Sequence, residues 1–533
     1  MFDDPGNAQY KPNKAGRCNP LAEMTGGVVS WLCRGSDLSS DRMQIKDLIS
    51  ADVTLAAGNP EARVTGVTAD SRHVQPGMIF AALAGTSTDG SRFIADAVAK
   101  GASAVLLRAG PPPDVPQSVA VLMANEPRRA LAQLATRLFP GQPTHVVAIT
   151  GTNGKTSVAD FTRQVFSTLG RAAASLGTIG IVKPSGTIYG SLTTPDPVTL
   201  HQIIAGLAAE GVTHLAMEAS SHGLDQFRLD GVRLTAGAFL NLGRDHLDYH
   251  PDIPHYLSAK LSLFTRLLQP GQPAIVNADA AYAEDAIAAA RARKLDVRTV
   301  GHKGDMLHLV DLERRGFRQR LTIAHAGRHH KVELNLIGDY QAANALAAAA
   351  FAITLGEDPA ATFAAVEHLQ GVSGRLEVVG ERNGGLAVVD YAHKPEALSA
   401  ALSALRPFAT GRLICVMGCG GNRDAGKRPI MGRIAAEQAD VVIVTDDNPR
   451  AEHPADIRKA VLAGIPTGRT DIHEVGDRAA AIAEAVRGIA PGDVVLIAGK
   501  GHETGQIIGN ITIPFSDQAE VRAALARPPE GPS

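Results

Sequence analysis

The chain has 533 residues, with 52 Lys plus Arg against 54 Asp plus Glu and a formal net charge of −2. That length exceeds one ordinary hydrophobic core and sets an expectation of about three to four domains, while so balanced a charge excludes a global attraction to nucleic acid or to an anionic membrane surface. Four cysteines are too few for a disulfide framework in a chain this long, and Cys415 and Cys419, with no second ligand pair, read as small core residues and not as zinc ligands.

Residues 1–42 are rich in Gly, Pro, Asn and Ser without a sustained period, and are expected to form a mobile leader ahead of a natural start at Met43. No basic run followed by an apolar segment marks a secretory signal. The longest apolar stretch, Ala342 to Leu355, is Ala-rich and about one helix long, short of the roughly 20 residues of a membrane span. The expectation is a cytoplasmic protein with no membrane insertion. From Met43 the pattern is regular: Ile45, Leu48 and Ile49 suggest a short helix, and the apolar runs Met78 to Leu83 and Ala104 to Leu107 alternate with a helical stretch from Phe93 to Ala99. The Pro-containing segment Phe139-Pro-Gly-Gln-Pro-Thr144 then sets a boundary near 143, giving a first domain over 43–143. A second block, 144–370, opens with the strand-like run His145 to Thr150 and alternates apolar strands with Ala-rich helices. After Gly371-Val-Ser-Gly-Arg375 a third, 371–533, repeats the alternation. Both are expected to be α/β, with parallel sheets flanked by helices.

The sharpest local signal is Val146-Val-Ala-Ile-Thr-Gly-Thr-Asn-Gly-Lys-Thr-Ser157, a β-run that enters a Gly-rich turn and leaves as a helix. This is the order of a phosphate loop. Gly151 and Gly154 permit the tight turn, Lys155 suits β and γ phosphate oxygens, and the Thr156 hydroxyl suits Mg²⁺. The spacing is shorter than the common G-x-x-x-x-G-K, since Ile149 stands five before Gly154. A plain Gly-rich turn with a solvated lysine is the blander alternative.

Gly151-Thr-Asn-Gly-Lys-Thr-Ser157 resembles the loop of the Mur ligases and of their relatives, the folylpolyglutamate synthases. Met217-Glu-Ala-Ser-Ser-His-Gly-Leu224, Asn241-Leu-Gly-Arg-Asp-His-Leu-Asp-Tyr-His250, Gly418-Cys-Gly-Gly-Asn-Arg-Asp-Ala-Gly-Lys-Arg-Pro429, Asp447-Asn-Pro-Arg450 and Gly499-Lys-Gly-His-Glu503 follow in order. Together, over residues 43 to 525, they resemble the branch of the Mur ligase family that adds the third peptide residue. The resemblance implies three α/β domains: one for a UDP moiety, a central P-loop ATPase, and a C-terminal Rossmann-like domain for the incoming amino acid. It implies an ATP- and Mg²⁺-dependent ligase of peptidoglycan synthesis that joins meso-diaminopimelate to UDP-N-acetylmuramoyl-L-alanyl-D-glutamate through an acyl phosphate. The protein is expected to act as a monomer on these small molecules.

Residue by residue, the resemblance assigns ATP to Gly151, Thr152, Asn153, Gly154, Lys155, Thr156 and Ser157, with Asn344 at the adenine and Arg375, Asp390 and His393 from the last domain. Tyr340-Gln341 stands where the family often has Phe-Asn. Glu218, after the apolar run Leu215 to Met217, is assigned to Mg²⁺, and His246 to a second metal site; either could instead be an ordinary surface Glu or a core histidine. Lys260 lies at the edge of an apolar stripe of Leu257, Leu261, Phe264 and Leu268, where a lysine usually snorkels to solvent. The family has a carbamylated lysine at that point, which would join the metal. Thr193, Thr194, Ser220, Gln226 and Arg228 are assigned to the muramoyl peptide, and Ala69 and Ser71 to the uridine; Asp-Ser-Arg could equally be a loop or helix cap. Arg423, Asp447, Asn448, Pro449, Arg450, Gly499 and Glu503 are assigned to diaminopimelate, with Arg450 on its distal carboxylate; Arg450 could otherwise cap a helix or pair with a surface acid.

Two alternatives stay open on sequence. One is another ligase sharing the phosphate loop, such as the D-Ala-D-Ala-adding branch or a folylpolyglutamate synthase, against which the Asp-Asn-Pro-Arg segment and the front turn argue. The other is a P-loop kinase or switch, which would leave a phosphorylated product where a ligase needs an amine and releases phosphate.

Overall fold

The computed structural model describes residues 43–85, 89–110, 114–188, 193–243, 245–246 and 249–527. The leader expected over 1–42 lies outside them. Two compact units result: 43–142 with 187–188 and 198–210, and 143–186 with 193–197 and 211–527.

In the first unit, β1 (Thr54–Ala57), β2 (Gly66–Thr68), β3 (Met78–Ala81), β4 (Ala104–Arg108) and β5 (Ala120–Ala124) form a sheet in the order β1-β5-β4-β3-β2. It is parallel except at β1. β4 and β5 are apolar almost throughout because both faces are covered: Ala104, Leu106 and Leu122 meet Ala130, Leu131 and Leu134 of helix α1 (Pro127–Leu138), and Val105 and Val121 meet Phe80 and Ala97 on the other side. The short helix expected through Ile49 ends at Leu48, and Ile49 is extended and 38% exposed. Phe93 likewise closes a 3₁₀ turn, Gly90–Phe93, and the α-helix begins at Ile94.

The second unit holds a large sheet whose strands are β6 (His145–Thr150), β7 (Ala173–Gly177), β8 (Gly180–Lys183), β10 (His214–Glu218), β11 (Ala236–Phe239), β12 (Pro273–Asn277), β13 (Asp296–Gly301), β14 (Leu307–Arg315), β15 (Arg318–His325) and β16 (Arg328–Leu334); the short β9 (Gly186–Ile188) begins at the last residue of 143–186 and runs into 187–188 of the first unit. From one edge the order runs β16-β15-β14-β13-β12-β11-β6-β10-β7-β8. The middle is parallel, as expected; the hairpins β14–β15–β16 and β7–β8 add antiparallel edges that the strand–helix alternation did not announce. Helix α2 (Lys155–Thr168) leaves the end of β6, and the Ala-rich stretch is helix α3 (Tyr340–Thr354), whose small side chains pack against α2 in the same core. Among the described residues no helix is long and apolar enough to cross a membrane.

A separate sheet follows: β17 (Glu377–Arg382), β18 (Gly385–Asp390), β19 (Leu413–Met417), β20 (Val441–Val444), β21 (Ile472–Glu474) and β22 (Val494–Ala498), in the order β17-β18-β22-β19-β20-β21. It is parallel except at β17 and has apolar cores on both faces. A two-stranded hairpin, β23 (Gly505–Ile508) and β24 (Ile511–Pro514), precedes the last helix, α4 (Asp517–Ala526). Cys415 and Cys419 are buried core residues, as read from sequence, and burial pushes their thiols up to about 12 and about 11.

Candidate functional site

β6 delivers the chain into the phosphate loop and α2 takes it away. Gly151 has φ +155°, and Gly154, at +85°, occupies the residue before the helix, where its left-handed backbone makes the turn without a Cβ penalty. Lys155 Nζ folds back to donate to the Gly151 and Thr152 carbonyls at 2.8 and 2.9 Å. Desolvation lowers its pKa, against the pull of Glu218 and Asp245, while Arg375 adds to the lowering. The loop is braced by Asn241, which accepts from Asn153 N–H at 2.9 Å and donates to the Asn153 carbonyl at 3.1 Å. Thr156 and Ser157 lie in the first turn of α2, Ser157 buried. Asn344, on α3, stands against the loop: a Cβ on Gly154 would meet its Oδ1 at 2.6 Å. Beside Asn344, Ala343 lines a cavity of about 380 Å³ together with Asp279, His302, Arg314 and Asp339.

Glu218 is the last residue of β10, next to β6 in the sheet, and is 1% exposed. Its carboxylate accepts from the Thr178 N–H at 2.7 Å and from the Thr178 hydroxyl at 3.3 Å. Thr178 Oγ1 also lies 3.1 Å from Thr193 Oγ1, and the Thr194 hydroxyl donates to the Glu218 carbonyl at 3.0 Å. From there the peptide-assigned residues connect to one another. Thr194 Oγ1 accepts from Ser220 N–H at 3.1 Å, Arg228 Nη1 donates to the Thr194 carbonyl at 2.6 Å, and Arg228 Nη2 donates to Gln226 Oε1 at 2.8 Å. Ser220 also caps the turn after it through Gly223 N–H.

Lys260 is 1% exposed, which goes against the alternative of a stripe-edge lysine that snorkels to solvent. The helix Ile253–Ser262 passes directly into a π turn, Leu263–Leu267, and the buried residues here are Tyr256, Ala259, Lys260, Leu263, Phe264 and Leu268, whereas Leu257 and Leu261 are only half-buried. Lys260 Nζ donates to the Gly151 carbonyl at 2.8 Å and lies 4.4 Å above the Tyr256 ring, whose hydroxyl is 3.1 Å from Thr152 Oγ1. Burial, reinforced by Lys155, pushes the Lys260 pKa down to about 6. His246 has φ +53°, lies edge-on to His222 and has its pKa lowered by desolvation. Among the described residues no group of three or more His, Cys, Asp or Glu forms a ready metal site. The hard oxygens of Thr156 and Glu218 nonetheless suit Mg²⁺, which keeps several of its waters.

From the last sheet, Arg375 lies 5.3 Å from the Tyr391 ring centroid, and Asp390, at the end of β18, accepts from Leu376 N–H at 2.7 Å; burial pushes its carboxyl up to about 6. His393 is placed differently from the rest of its ATP-assigned set. It lines a cavity of about 770 Å³ with Arg423, Asp447, Asn448, Arg450, Gly499 and Glu503, which are the acceptor-assigned residues apart from Pro449. Among the described residues Arg450 neither caps a helix nor pairs with an acid: its Nη1 donates to the Gly421 carbonyl at 3.1 Å and to the Asn448 carbonyl at 3.4 Å. Asn448 Nδ2 donates to Glu503 Oε2 at 2.9 Å, and the fully buried Lys500 donates to both Asn448 Oδ1 and Glu503 Oε2, at 2.9 and 3.0 Å. Gly499, φ +122°, lies so close to Asp447 that a Cβ would meet Oδ2 at 2.6 Å.

In the first unit, Ala69 and Ser71 flank Asp70, which accepts from Arg72 N–H at 2.9 Å and caps a 3₁₀ turn, the local role considered from sequence. Ser71 is buried, and its carbonyl accepts from Lys100 at 2.9 Å.

Sequence reasoning gave no role to Asn241, Thr178, Tyr256 or Lys500. Asn241 and Lys500 stood inside quoted motifs, where a signal existed. Thr178 and Tyr256 act through contacts 40 and 104 residues away and carried none.

Three family models match in chain order: the catalytic-domain model of the Mur ligase family over residues 63–138, the Mur ligase middle domain over 149–352 and the Mur ligase glutamate ligase domain over 374–501. The UDP-N-acetylmuramoyl-L-alanyl-D-glutamate–2,6-diaminopimelate ligase of Bradyrhizobium diazoefficiens is 56% identical over 91% of this chain and 99% of its own. That of Rhizobium meliloti is 54% identical over 87% and 94%. A solved structure of a ligase of the same name aligns with a TM-score of 0.68 and 32% identity over 91% of this chain and 99% of that one. With identity of this extent along nearly the whole length, the chain belongs to the Mur ligase family.

Proposed function

We propose that this Mur ligase joins an amine of meso-diaminopimelate to the side-chain carboxylate of D-glutamate in UDP-N-acetylmuramoyl-L-alanyl-D-glutamate, at the expense of ATP, in peptidoglycan precursor synthesis. The observation that carries this reading is the cavity in which Arg423, Asp447, Asn448, Arg450, Gly499 and Glu503 converge. It offers guanidinium groups to carboxylates and Glu503 to an ammonium, which is the charge pattern of a diamino diacid. The names of the similar ligases point the same way.

A carboxylate is a poor electrophile, so phosphate must first pass from ATP to the glutamyl carboxylate. The acyl phosphate then accepts the incoming amine and releases free phosphate. For the first step the loop residues Gly151, Thr152, Asn153, Gly154, Lys155, Thr156 and Ser157 cradle the phosphates, with backbone N–H groups and the start of α2 facing negative charge. Lys155 exchanges its two carbonyl partners for phosphate oxygens. Arg375 and Asp390 act at ATP from the last sheet, with His393 nearby. The base occupies the cavity of Asp279 and His302, next to Asn344. Thr156, Glu218, His246 and Lys260 as its carbamate would hold Mg²⁺, which when bound supplies neutralisation of phosphate charge. Carbamylation requires a neutral amine, which attacks CO₂ and loses a proton to water; a lysine titrating near 6 is in that form at neutral pH. Thr193, Thr194, Ser220, Gln226 and Arg228 hold the muramoyl peptide, and Ala69 and Ser71 the uridine. Domain limits fall near 143 and 371. The protein works as a cytoplasmic monomer.

Phosphate release from ATP with the UDP-linked dipeptide, comparing meso-diaminopimelate, L-lysine and D-Ala-D-Ala as acceptors, tests the reading. Release with diaminopimelate alone is expected. Equal release with L-lysine, or release with no acceptor present, would contradict it.

A further inference from the structure

Arg450 is one of the few non-glycine residues with a left-handed backbone, at φ +52°. Such a conformation persists in a side-chain-bearing residue only where its surroundings impose it. Here the constraint comes from β23. The Arg450 N–H donates to the Ile507 carbonyl at 3.0 Å, and the Arg450 carbonyl accepts from Gly509 N–H at 2.8 Å, so both backbone polar groups of Arg450 are taken up by the hairpin. The pairing extends upstream: Gln506 Nε2 donates to the Asp447 carbonyl at 2.8 Å, and Ile507 N–H donates to Asn448 Oδ1 at 2.9 Å. Asp447–Arg450 and Gln506–Gly509 thus form a short parallel pair, with its bridge at Arg450 and Ile508.

The opposite flank leaves the segment little freedom. A Cβ on Gly421 would stand 1.9 Å from the Pro449 carbonyl oxygen, and one on Gly420 would stand 2.8 Å from Arg450 Nη1. The segment is therefore held between the Gly420–Gly421 turn and β23, and Arg450 Nη1 donates to the Gly421 carbonyl at 3.1 Å and to the Asn448 carbonyl at 3.4 Å. Asn448 ties the hairpin to the cavity floor, since its Oδ1 accepts from Ile507 N–H and from Lys500, and its Nδ2 reaches Glu503. The hairpin's outer strand buries nothing comparable: Ile511 is 68% and Ile513 40% exposed.

We infer that the hairpin β23–β24 is a positioning element for acceptor recognition, setting the backbone of Asp447–Arg450 so that Arg450 and Glu503 face one bound amino acid at a fixed separation; this rests on the reading of the cavity as the acceptor site. Gln506 and Ile507 are positioning residues. They act through Asp447, Asn448 and Arg450. A small displacement of such groups is enough to cost orders of magnitude in a reaction that depends on placement.

The test uses the full chain with Gln506→Leu, which removes the donor to Asp447, and Ile507→Pro, which removes the N–H to Asn448. The KM for diaminopimelate, the KM for ATP and the melting temperature are measured for each. The expected result is a rise of about tenfold or more in the diaminopimelate KM, with ATP KM and melting temperature unchanged. Misfolding would move all three together. In the wild type, the Arg450 and Gly509 amides are expected to exchange slowly with solvent deuterium, a measurement that stands even where a variant does not fold. An unchanged diaminopimelate KM in folded variants, or rapid exchange at both amides, would overturn the positioning role. A wild type that turned over no diaminopimelate at all would overturn the acceptor reading beneath it.

Discussion

Lys260 Nζ donates to the carbonyl of Gly151 at 2.8 Å, so a buried lysine from a distant helix holds the entrance of the phosphate loop. Its pKa is pushed down to about 6 by burial, and the pair sets a charge-poor lysine beside the site where phosphate would sit. Lys260→Ala removes a desolvated amine and should not unfold the protein. Activity should fall by about a hundredfold or more, and formate or acetate should restore part of it by supplying a carboxylate in place of the carbamate. Retained activity would remove Lys260 from the reaction, and loss with no rescue would remove its carbamate.

Gly154→Ala tests how closely the loop and α3 fit. Its φ is +85°, and the new methyl would meet Asn344 Oδ1 at 2.6 Å. Gly170→Ala is the control, with φ +79° and open space around it. The control should lose about 1 kcal/mol of stability and bind ATP normally, whereas Gly154→Ala should lose ATP binding. Equal ATP affinity in both variants would show that the close approach has no bearing on the nucleotide.

A buried ion pair ties α4 to the end of β22. Arg478 and Asp517 are both fully buried, joined at 2.7 Å between Nε and Oδ1 and at 2.8 Å between Nη2 and Oδ2, and Arg478 also donates to the Ala498 carbonyl at 3.0 Å, just before Gly499. Asp517→Ala strands a guanidinium without its counter-charge and should cost about 3–5 kcal/mol in denaturant unfolding. A loss below about 1 kcal/mol would mean that the pair is dispensable.

Acid should weaken the central domain through His214. Desolvation, aided by His145, lowers its pKa to about 4, and it lies against Phe166 with ring centroids 4.4 Å apart. The unfolded chain then binds more protons than the native one between about pH 6.5 and 4, so stability is full above the unfolded pKa and falls as pH drops through that window. The contribution approaches about 1.4 kcal/mol per pH unit. His214→Phe should flatten the pH dependence of unfolding free energy by up to one proton; an unaltered slope would place the titration elsewhere.

The parts of this molecule legible in sequence are those whose signals are local. His145 to Thr150 is the strand anticipated, because a β-branched run ends at glycines that only a turn accommodates. The Ala-rich stretch is a helix, since nothing in it breaks one. The convergence of Arg423, Asp447, Arg450 and Glu503 was reachable through motif resemblance, although their spacing alone says nothing of a shared cavity. Around Lys260 the apolar stripe drawn through Leu257, Leu261, Phe264 and Leu268 lies beside the true buried face of Tyr256, Ala259, Lys260, Leu263 and Phe264, because a lysine and a tyrosine inside that face do not read as core. Ile49 failed for a different reason, since a four-residue helix held by its neighbours has no period to read. The antiparallel edges of both large sheets depend on pairing partners that strand composition does not specify.

The central claim, that the last domain selects diaminopimelate through Arg450, is tested most directly by competition. Purified protein, ATP, Mg²⁺ and the UDP-linked dipeptide are given equal concentrations of meso-diaminopimelate and L-lysine, and the tripeptide products are quantified by mass for wild type and Arg450→Ala. Because lysine would leave the half-buried guanidinium without a carboxylate partner, the wild type should favour the diaminopimelate product by about 10⁴-fold. Arg450→Ala should lose most of that preference while ATP binding persists. Comparable lysine and diaminopimelate products from the wild type, or undiminished selectivity in Arg450→Ala, would contradict the account.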